Sequence, residues 1–341
     1  MQSYDVIIVG AGPGGLKCAE MLGSSSLSVL LLEKNSVIGP KVCAGGLTGK
    51  DLAYLNLPEE LIEFRYNNVK LHVNNLTSAI KSETDFAFTI DRTAFGQWQL
   101  QRLKAFPNVE VRTNAHVSEI TKETVTVNGE QIGYRYLVGA DGSNSIVKRF
   151  LGIKSANKGY GIQYLIPTDK YTDFEVFFQP KYFAAWYAWI FPHKGYVSVG
   201  CGAAPWVLSA GKLKDNFHKW LREHDIDISE GKYEAFPMDS DYQGYRFGNV
   251  FLTGDAAGLL SSFTGEGIYQ ALISGEEVAR LILNPDFVPV KIPEVLQTKQ
   301  KHDKLIKLMI DAGPFRSLIF GTGALLFRIP RFGRKAIEVF G

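Results

Sequence analysis

Tyr4-Asp5-Val6-Ile7-Ile8-Val9-Gly10-Ala11-Gly12-Pro13-Gly14-Gly15 is the stretch of this 341-residue chain whose reading decides the fold. Residues 4–9 form an almost continuous apolar run, the pattern of a short strand buried on both faces of a parallel sheet. The next six residues fit G-x-G-x-x-G. A helical stretch follows from Leu16 to about Leu22, and a second apolar strand, residues 28–32, ends at Glu33. Gly10 permits the tight turn, Gly12 lets the backbone approach a pyrophosphate, and Gly15 lets the helix pack closely on the strand. The helix start, with Gly14, offers unpaired N–H groups and the positive end of the helix dipole to phosphates. Glu33 lies 21 residues after Gly12, where a carboxylate accepts hydrogen bonds from ribose hydroxyls and repels the 2′-phosphate of NADP. The stretch predicts a βαβ dinucleotide-binding unit.

Two later glycine motifs lie outward from it. Residues 135–142 run as an apolar strand into Gly139-Ala140-Asp141-Gly142, and residues 249–258 run into Gly254-Asp255-Ala256-Ala257-Gly258 ahead of a helical stretch over 267–283. Asp255, at the carboxyl end of its strand, is placed to accept from a ribityl hydroxyl, and the amides of Gly267 and Ile268 would face the polar edge of a flavin. Each motif alone is ordinary turn chemistry. In this order behind the first glycine turn, they point to FAD rather than NAD. No second G-x-G-x-x-G stands in a strand–helix frame, so no separate NAD(P)H domain is expected.

Residues 66–90 and 158–205 alternate apolar and polar positions and are rich in β-branched and aromatic side chains, which predicts antiparallel strands. The expected fold is α/β: a Rossmann-type FAD-binding domain with an inserted, mostly antiparallel β-sheet substrate-binding domain and a C-terminal helical region. The FAD-binding domain would take residues 1–65, 91–157 and 245–290. The substrate-binding domain would take 66–90 and 158–244, and the helical region 291–341.

Composition sets outer bounds. Lys and Arg total 37 against 35 Asp and Glu, with no basic run, so no nucleic-acid partner is expected. Three cysteines, Cys18, Cys43 and Cys201, form neither a metal-ligand spacing nor a disulfide framework, which favours a reducing compartment. The first residues lack a basic segment and a long apolar run, so no signal peptide is read, and no apolar run reaches the roughly 18 residues of a membrane span. A cytoplasmic location is the expectation.

The order GAGPGG with Glu33, GADG and GDAAG resembles that of FAD-dependent oxidoreductases of the aromatic-hydroxylase type. Two further segments resemble the geranylgeranyl reductase family: Gly39-Pro40-Lys41-Val42-Cys43-Ala44-Gly45-Gly46 looks like its P-x-x-x-C-x-G-G-type loop, with one residue fewer between Pro40 and Cys43. Tyr187-Ala188-Trp189-Ile190-Phe191-Pro192 matches its Y-x-W-x-F-P motif. The resemblance implies noncovalent FAD and reduction of carbon–carbon double bonds in polyprenyl chains. An external donor, NAD(P)H or a ferredoxin, would reduce the flavin, whose N5 would deliver hydride while Cys43, Tyr187 or water supplies the proton. By the same resemblance, Gly10, Gly12, Gly14, Gly15 and Glu33 hold the ADP half. Cys43, Ala44 and Gly46 line the middle and flavin end, and Arg92 offsets the pyrophosphate charge. Val117 presents backbone to adenine, while Asp255, Gly267 and Ile268 close the ribityl and ring end. Tyr187 and Trp189 would line the substrate cavity. One departure stands out: the family pattern R-x-x-F-D has Gly96 where the acid belongs.

Several readings stay open at this level. Cys43 is either a small packing residue or a thiol beside the flavin, with Lys41 nearby to lower its pKa. The rings of residues 174–191 are either ordinary core or a wall for an apolar chain. Residues 315–341, with an uncharged run from Ser317 to Phe327 followed by Arg328, Arg331, Arg334 and Lys335, are either a helical cap or a peripheral contact with an anionic membrane surface. Rival activities on the same scaffold are a flavin-dependent monooxygenase or halogenase, and a flavoprotein that binds a lipid or partner without turnover.

Overall fold

Residues 6–9 are apolar and buried because they lie at the centre of a sheet. In the computed structural model, which describes residues 1–156 and 158–327, the strand Ser3–Val9 pairs in parallel with both Val29–Leu32 and Glu130–Gly139. Val29–Leu32 pairs in parallel with Val109–Arg112, and Glu130–Gly139 with Val250–Leu252. Arg246–Phe247 closes one edge, and a hairpin of Val117–Ile120 and Thr124–Val127 hangs antiparallel from Glu130–Gly139. The described residues thus form an eight-stranded sheet with a parallel centre.

The described residues gather into two compact units, Met1–Lys41 with Thr93–Lys158 and Met238–Lys301, and Val42–Arg92 with Gly159–Pro237 and the chain from His302 onward. These boundaries differ from the sequence segments. Residues 42–65 fall in the second unit because Gly46–Thr48 and Ile62–Tyr66 both pair with Ala87–Ile90 in a three-stranded sheet. Residues 291–327 do not stand apart, since the helix Lys291–Asp311 is divided between the units at Lys301 and His302.

In the first unit the helix Pro13–Gly23 starts three residues before the expected Leu16, because Pro13 at its first position has its φ preset and no N–H to lose. Val6, Ile8, Leu16, Leu22, Val278 and Ile282 are buried together between sheet and helices. The helices Pro13–Gly23 and Ile268–Leu283 cross glycine on glycine. A Cβ at Gly275 would lie 2.2 Å from the Gly14 carbonyl oxygen. Glu277, 2% exposed, accepts from the backbone N–H groups of Val290, Lys291 and Ile292 at 2.9, 2.9 and 2.7 Å and so anchors the start of Lys291–Asp311.

The second unit is built on a seven-stranded sheet. Lys158–Ile166, Tyr196–Ala203, Ala188–His193 and Phe174–Phe178 are neighbours in antiparallel pairing, as expected. Phe174–Phe178 then pairs in parallel with Asn68–Val73, which turns back antiparallel into Leu76–Lys81. The helix Ala210–Glu223 was not anticipated; Ser209 caps it, and its stripe of Leu213, Phe217, Trp220 and Leu221 is buried. Trp220 meets Phe177 and Phe183 edge-on at 5.1 and 5.8 Å. The helix Arg316–Phe327 lies against the sheet edge, with Phe320 4.8 Å from Phe178 and the Ala324 carbonyl accepting from Ser78 Oγ.

Candidate active site

In the first unit the strand Ser3–Val9 delivers the chain to Gly10, which has φ +100°; a Cβ there would stand 2.5 Å from the Ala140 carbonyl oxygen. Gly12 precedes the helix with no side-chain cap, and its first turn has no acid. The N–H groups of Gly14 and Gly15 lie in that turn, where helical geometry supplies no acceptor. Glu33 holds the rim: Oε2 accepts from Ala11 N at 3.0 Å, and Oε1 from Asn35 N and Nδ2 at 2.9 and 2.8 Å. Its carbonyl accepts from Ala115 N at 2.8 Å, so the buried Val117 begins its strand two residues beyond that contact.

A second cluster forms where Val250–Leu252 ends. Asp255, 7% exposed, accepts through Oδ2 from Lys41 Nζ at 3.0 Å and from Ser143 Oγ at 3.3 Å. The ammonium of Lys41 thus forms an ion pair with Asp255. Gly267 sits against the other carboxylate oxygen, where a Cβ would be 3.2 Å from Asp255 Oδ1, and it precedes Ile268, the first residue of an uncapped helix. Asp141 bonds Ile146 N through Oδ2 at 2.6 Å while its Oδ1 is buried without a partner, and burial pushes its carboxyl above the ordinary carboxylate range. Two helix starts without caps and an orphaned buried carboxylate oxygen are features that fit a dinucleotide with a polyhydroxyl chain.

The departure at Gly96 has a physical cause. A Cβ at that position would lie 2.4 Å from Gly39 Cα, and Gln97 Nε2 donates to the Ile38 carbonyl at 2.6 Å. The helix Arg92–Leu103 therefore packs backbone to backbone on the Ile38–Gly39 turn, with no room for an aspartate.

In the second unit, the Cys43–Gly46 segment lies on the aromatic face of the large sheet. A Cβ at Gly46 would be 3.0 Å from Phe191 and 3.3 Å from Phe174. Ala44 and Tyr187 pack on the cluster of Phe174, Trp189 and Phe191. Phe174 and Phe191 stack at 3.8 Å, while Tyr187 stands 6.3 Å from Trp189 and is only half-buried. Cys43 is likewise half-buried, whereas Cys18 and Cys201 are fully enclosed, and burial pushes both of their thiols up. Arg92, 9% exposed, follows Ile90, whose N–H donates to the Gly45 carbonyl at 3.0 Å. Cys43, Ala44, Gly46, Tyr187 and Trp189 thus share one region of this unit, with Arg92 two residues along the chain from the Gly45 contact. The glycine turn, Glu33, Val117, Asp255, Gly267 and Ile268 belong to the other unit.

Sequence reading missed Gly275, Gly200, Gln163 and His193. Glycine inside a helix costs about 1 kcal/mol relative to alanine, so Gly275 within 268–283 was the legible sign of a close contact. Gly200 lies opposite both Trp189 and Gln163, and a Cβ there would be 2.3 Å from the Trp189 ring.

The FAD binding domain family matches residues 3–278. An uncharacterized protein of Methanosarcina barkeri is 30% identical, over 96% of this chain and 87% of its own length. A digeranylgeranylglycerophospholipid reductase of Thermoplasma acidophilum is 26% identical, over 90% of this chain and 84% of its own. The crystal structure of a geranylgeranyl bacteriochlorophyll reductase-like protein from the same organism superposes with a TM-score of 0.83 at 21% identity, covering 99% of this chain and 95% of that one. FAD is therefore the cofactor, and the protein belongs to the FAD-binding domain family as a geranylgeranyl reductase-like, FAD-dependent oxidoreductase.

Proposed function

We propose that the protein saturates carbon–carbon double bonds of a geranylgeranyl-type polyprenyl lipid or prenylated precursor. The observation that carries this reading is the apolar face of Phe174, Trp189 and Phe191, on which the Cys43–Gly46 segment is packed. A surface of stacked rings suits an extended isoprenoid better than a small polar acid. Relatives named as digeranylgeranylglycerophospholipid reductases support the same substrate class. Bound FAD, once reduced by an external donor such as NAD(P)H or a ferredoxin, supplies the hydride.

The chain's own residues bind, orient and hold protons. The uncapped start of Pro13–Gly23, with Gly10, Gly12, Gly14 and Gly15, receives the pyrophosphate, and Arg92 adds positive charge. Glu33 takes the adenosine ribose hydroxyls, with the backbone at Val117 beside adenine. Asp255 takes a ribityl hydroxyl through the oxygen that Lys41 and Ser143 leave free, and the Gly267 and Ile268 amides face the flavin's polar edge. Ala44 and Gly46 present backbone to the flavin. Trp189 and Tyr187 border the alkene, and the half-buried Cys43 thiol and Tyr187 hydroxyl are the proton sources on that face.

The same reading places the protein on an anionic bilayer surface. Phe315, at the end of the turn Gly313–Phe315, is 71% exposed, and Leu318 and Leu325 on the helix Arg316–Phe327 are 69 and 50% exposed. The cationic Arg328, Arg331, Arg334 and Lys335 follow in the sequence, outside the described residues. No described helix is long and apolar enough to cross a membrane.

The test is reoxidation of the reduced flavoprotein by geranylgeranyl phospholipid under argon. The reductase reading expects the bleached absorbance of the reduced flavin to recover on addition of lipid without oxygen. Reoxidation only in air, with an oxygenated product, would replace it with a monooxygenase.

A further inference from the structure

The Cys43–Gly46 segment is held by two buried side chains that grip consecutive carbonyls. Gln163 Nε2 donates to the Cys43 carbonyl at 3.3 Å, and His193 Nε2 lies 2.9 Å from the Ala44 carbonyl. Gln163 is 1% exposed and His193 2%. Both side chains belong to strands of the large sheet, so the segment is tied to that sheet.

Hydrogen accounting fixes the histidine arm. A carbonyl only accepts, so Nε2 carries hydrogen. Nδ1 of the same ring lies 2.5 Å from Glu63 Oε2, and that contact needs a hydrogen as well, from the ring or from the carboxyl. The other Glu63 oxygen accepts from Lys194 N at 3.2 Å. The ring stacks on Tyr196 with centroids 4.5 Å apart and planes 2° from parallel. It also presses on the backbone at Gly45, where a Cβ would be 2.4 Å from His193 Cε1. Glycine at 45 is thus what lets the imidazole reach the Ala44 carbonyl.

The glutamine arm continues across three adjacent strands. Trp189 Nε1 donates to Ser198 Oγ at 2.9 Å, and Ser198 Oγ donates to Gln163 Oε1 at 3.2 Å. Gln163 Nε2 also reaches Glu234 Oε2 at 3.0 Å. Trp189, Gly200 and Gln163 occupy one cross-strand row, and the missing side chain at Gly200 lets the indole lie across it.

We propose that His193, Gln163, Glu63 and Trp189 are positioning residues that together lock the Cys43–Gly46 segment and so set the orientation of the Cys43 thiol. Glu63 acts by orienting His193, and Trp189 acts through its indole N–H as the outer link to Gln163. This rests on the reading that the Cys43 segment belongs to the active site.

The test is the rate at which iodoacetamide alkylates Cys43 in the FAD-loaded protein. Amide hydrogen exchange over residues 43–46 is followed in parallel. Cys18 and Cys201 are fully buried and serve as internal reporters of folding, since they stay unlabelled while the chain is intact. His193→Phe and Glu63→Leu should raise both rates about tenfold, corresponding to about 1.4 kcal/mol and matching the loss of one buried hydrogen bond. Trp189→Phe, which keeps a ring but loses the donor, should raise them in the same direction. Glu63→Gln should restore the parent rates, because its amide donates to Nδ1 and leaves hydrogen on Nε2. Parent-like rates in Glu63→Leu, or failure of Glu63→Gln to rescue, overturn the proposal even if His193→Phe does not fold. No polyprenyl substrate enters the assay, so failure of the lipid-reductase reading leaves this result standing, and the reverse also holds.

Discussion

Gly275→Ala sets two opposed effects against each other. Alanine in a helix interior is favoured over glycine by about 1 kcal/mol, which alone would stabilise Ile268–Leu283. The new methyl, however, would lie 2.2 Å from the Gly14 carbonyl oxygen, 3.0 Å from its carbon and 3.1 Å from its Cα. An ordinary contact needs roughly 1 Å more, and the obstacle is backbone, which has no rotamer to change. The two helices must part, and overpacking of this kind costs about 1–3 kcal/mol. Gly14 also belongs to the turn proposed to receive the pyrophosphate, so under that proposal the displacement reaches the cofactor site directly. The expected result is a lowered melting temperature and substoichiometric bound flavin, read from the ratio of flavin to protein absorbance after gel filtration. Gly321→Ala is the control: nothing lies within 4 Å of its Cβ position, so only the helix-propensity gain should remain. A Gly275→Ala protein with full flavin content and a raised melting temperature would refute the reasoning.

Asp255→Ala removes a buried carboxylate held by Lys41 and Ser143, and the apoprotein should bind FAD about 10–100-fold more weakly in a fluorescence titration. Asp141→Asn tests burial through pH. The folded chain holds the Asp141 proton more tightly than the unfolded one, so this carboxyl opposes folding increasingly as pH rises above the unfolded value of about 4. The asparagine apoprotein should therefore be more stable than the parent at pH 7 and equal to it in acid, as read by urea unfolding. Glu277→Ala should lower the urea midpoint by loosening the start of Lys291–Asp311, where three amides lose their acceptor. Leu318→Ser with Leu325→Ser should abolish flotation with anionic vesicles without changing flavin content; equal flotation would remove the membrane contact from the account.

Local chemistry was the legible part of this sequence. The Gly10–Gly15 turn shows itself because its glycines answer to the strand and helix beside them in the chain. The helix Ile268–Leu283 was legible to within one residue for the same reason. What was not legible depends on partners far along the sequence. The Gly275 contact pairs with Gly14, and the departure at Gly96 makes sense only when Gly39 is seen against it. The helix Ala210–Glu223 carries a clear stripe, but strand-like neighbours on both sides masked it. His193 follows Tyr187-Ala188-Trp189-Ile190-Phe191-Pro192 directly, yet no spacing rule links it to Glu63 or Ala44. The parallel pairing of Phe174–Phe178 with Asn68–Val73 is likewise fixed by tertiary packing, since either direction fits the alternation.

The central claim is reduction of carbon–carbon double bonds by the reduced flavoprotein, and its most direct test is mass spectrometry. Dithionite-reduced, FAD-loaded protein is incubated under argon with geranylgeranyl phospholipid, and the lipid is recovered after excess dithionite has been removed and the bound flavin has reoxidised. The account predicts lipid heavier by two hydrogens for each flavin consumed. Unchanged lipid beside a flavin that stays reduced, or a product carrying oxygen once air is admitted, would contradict it.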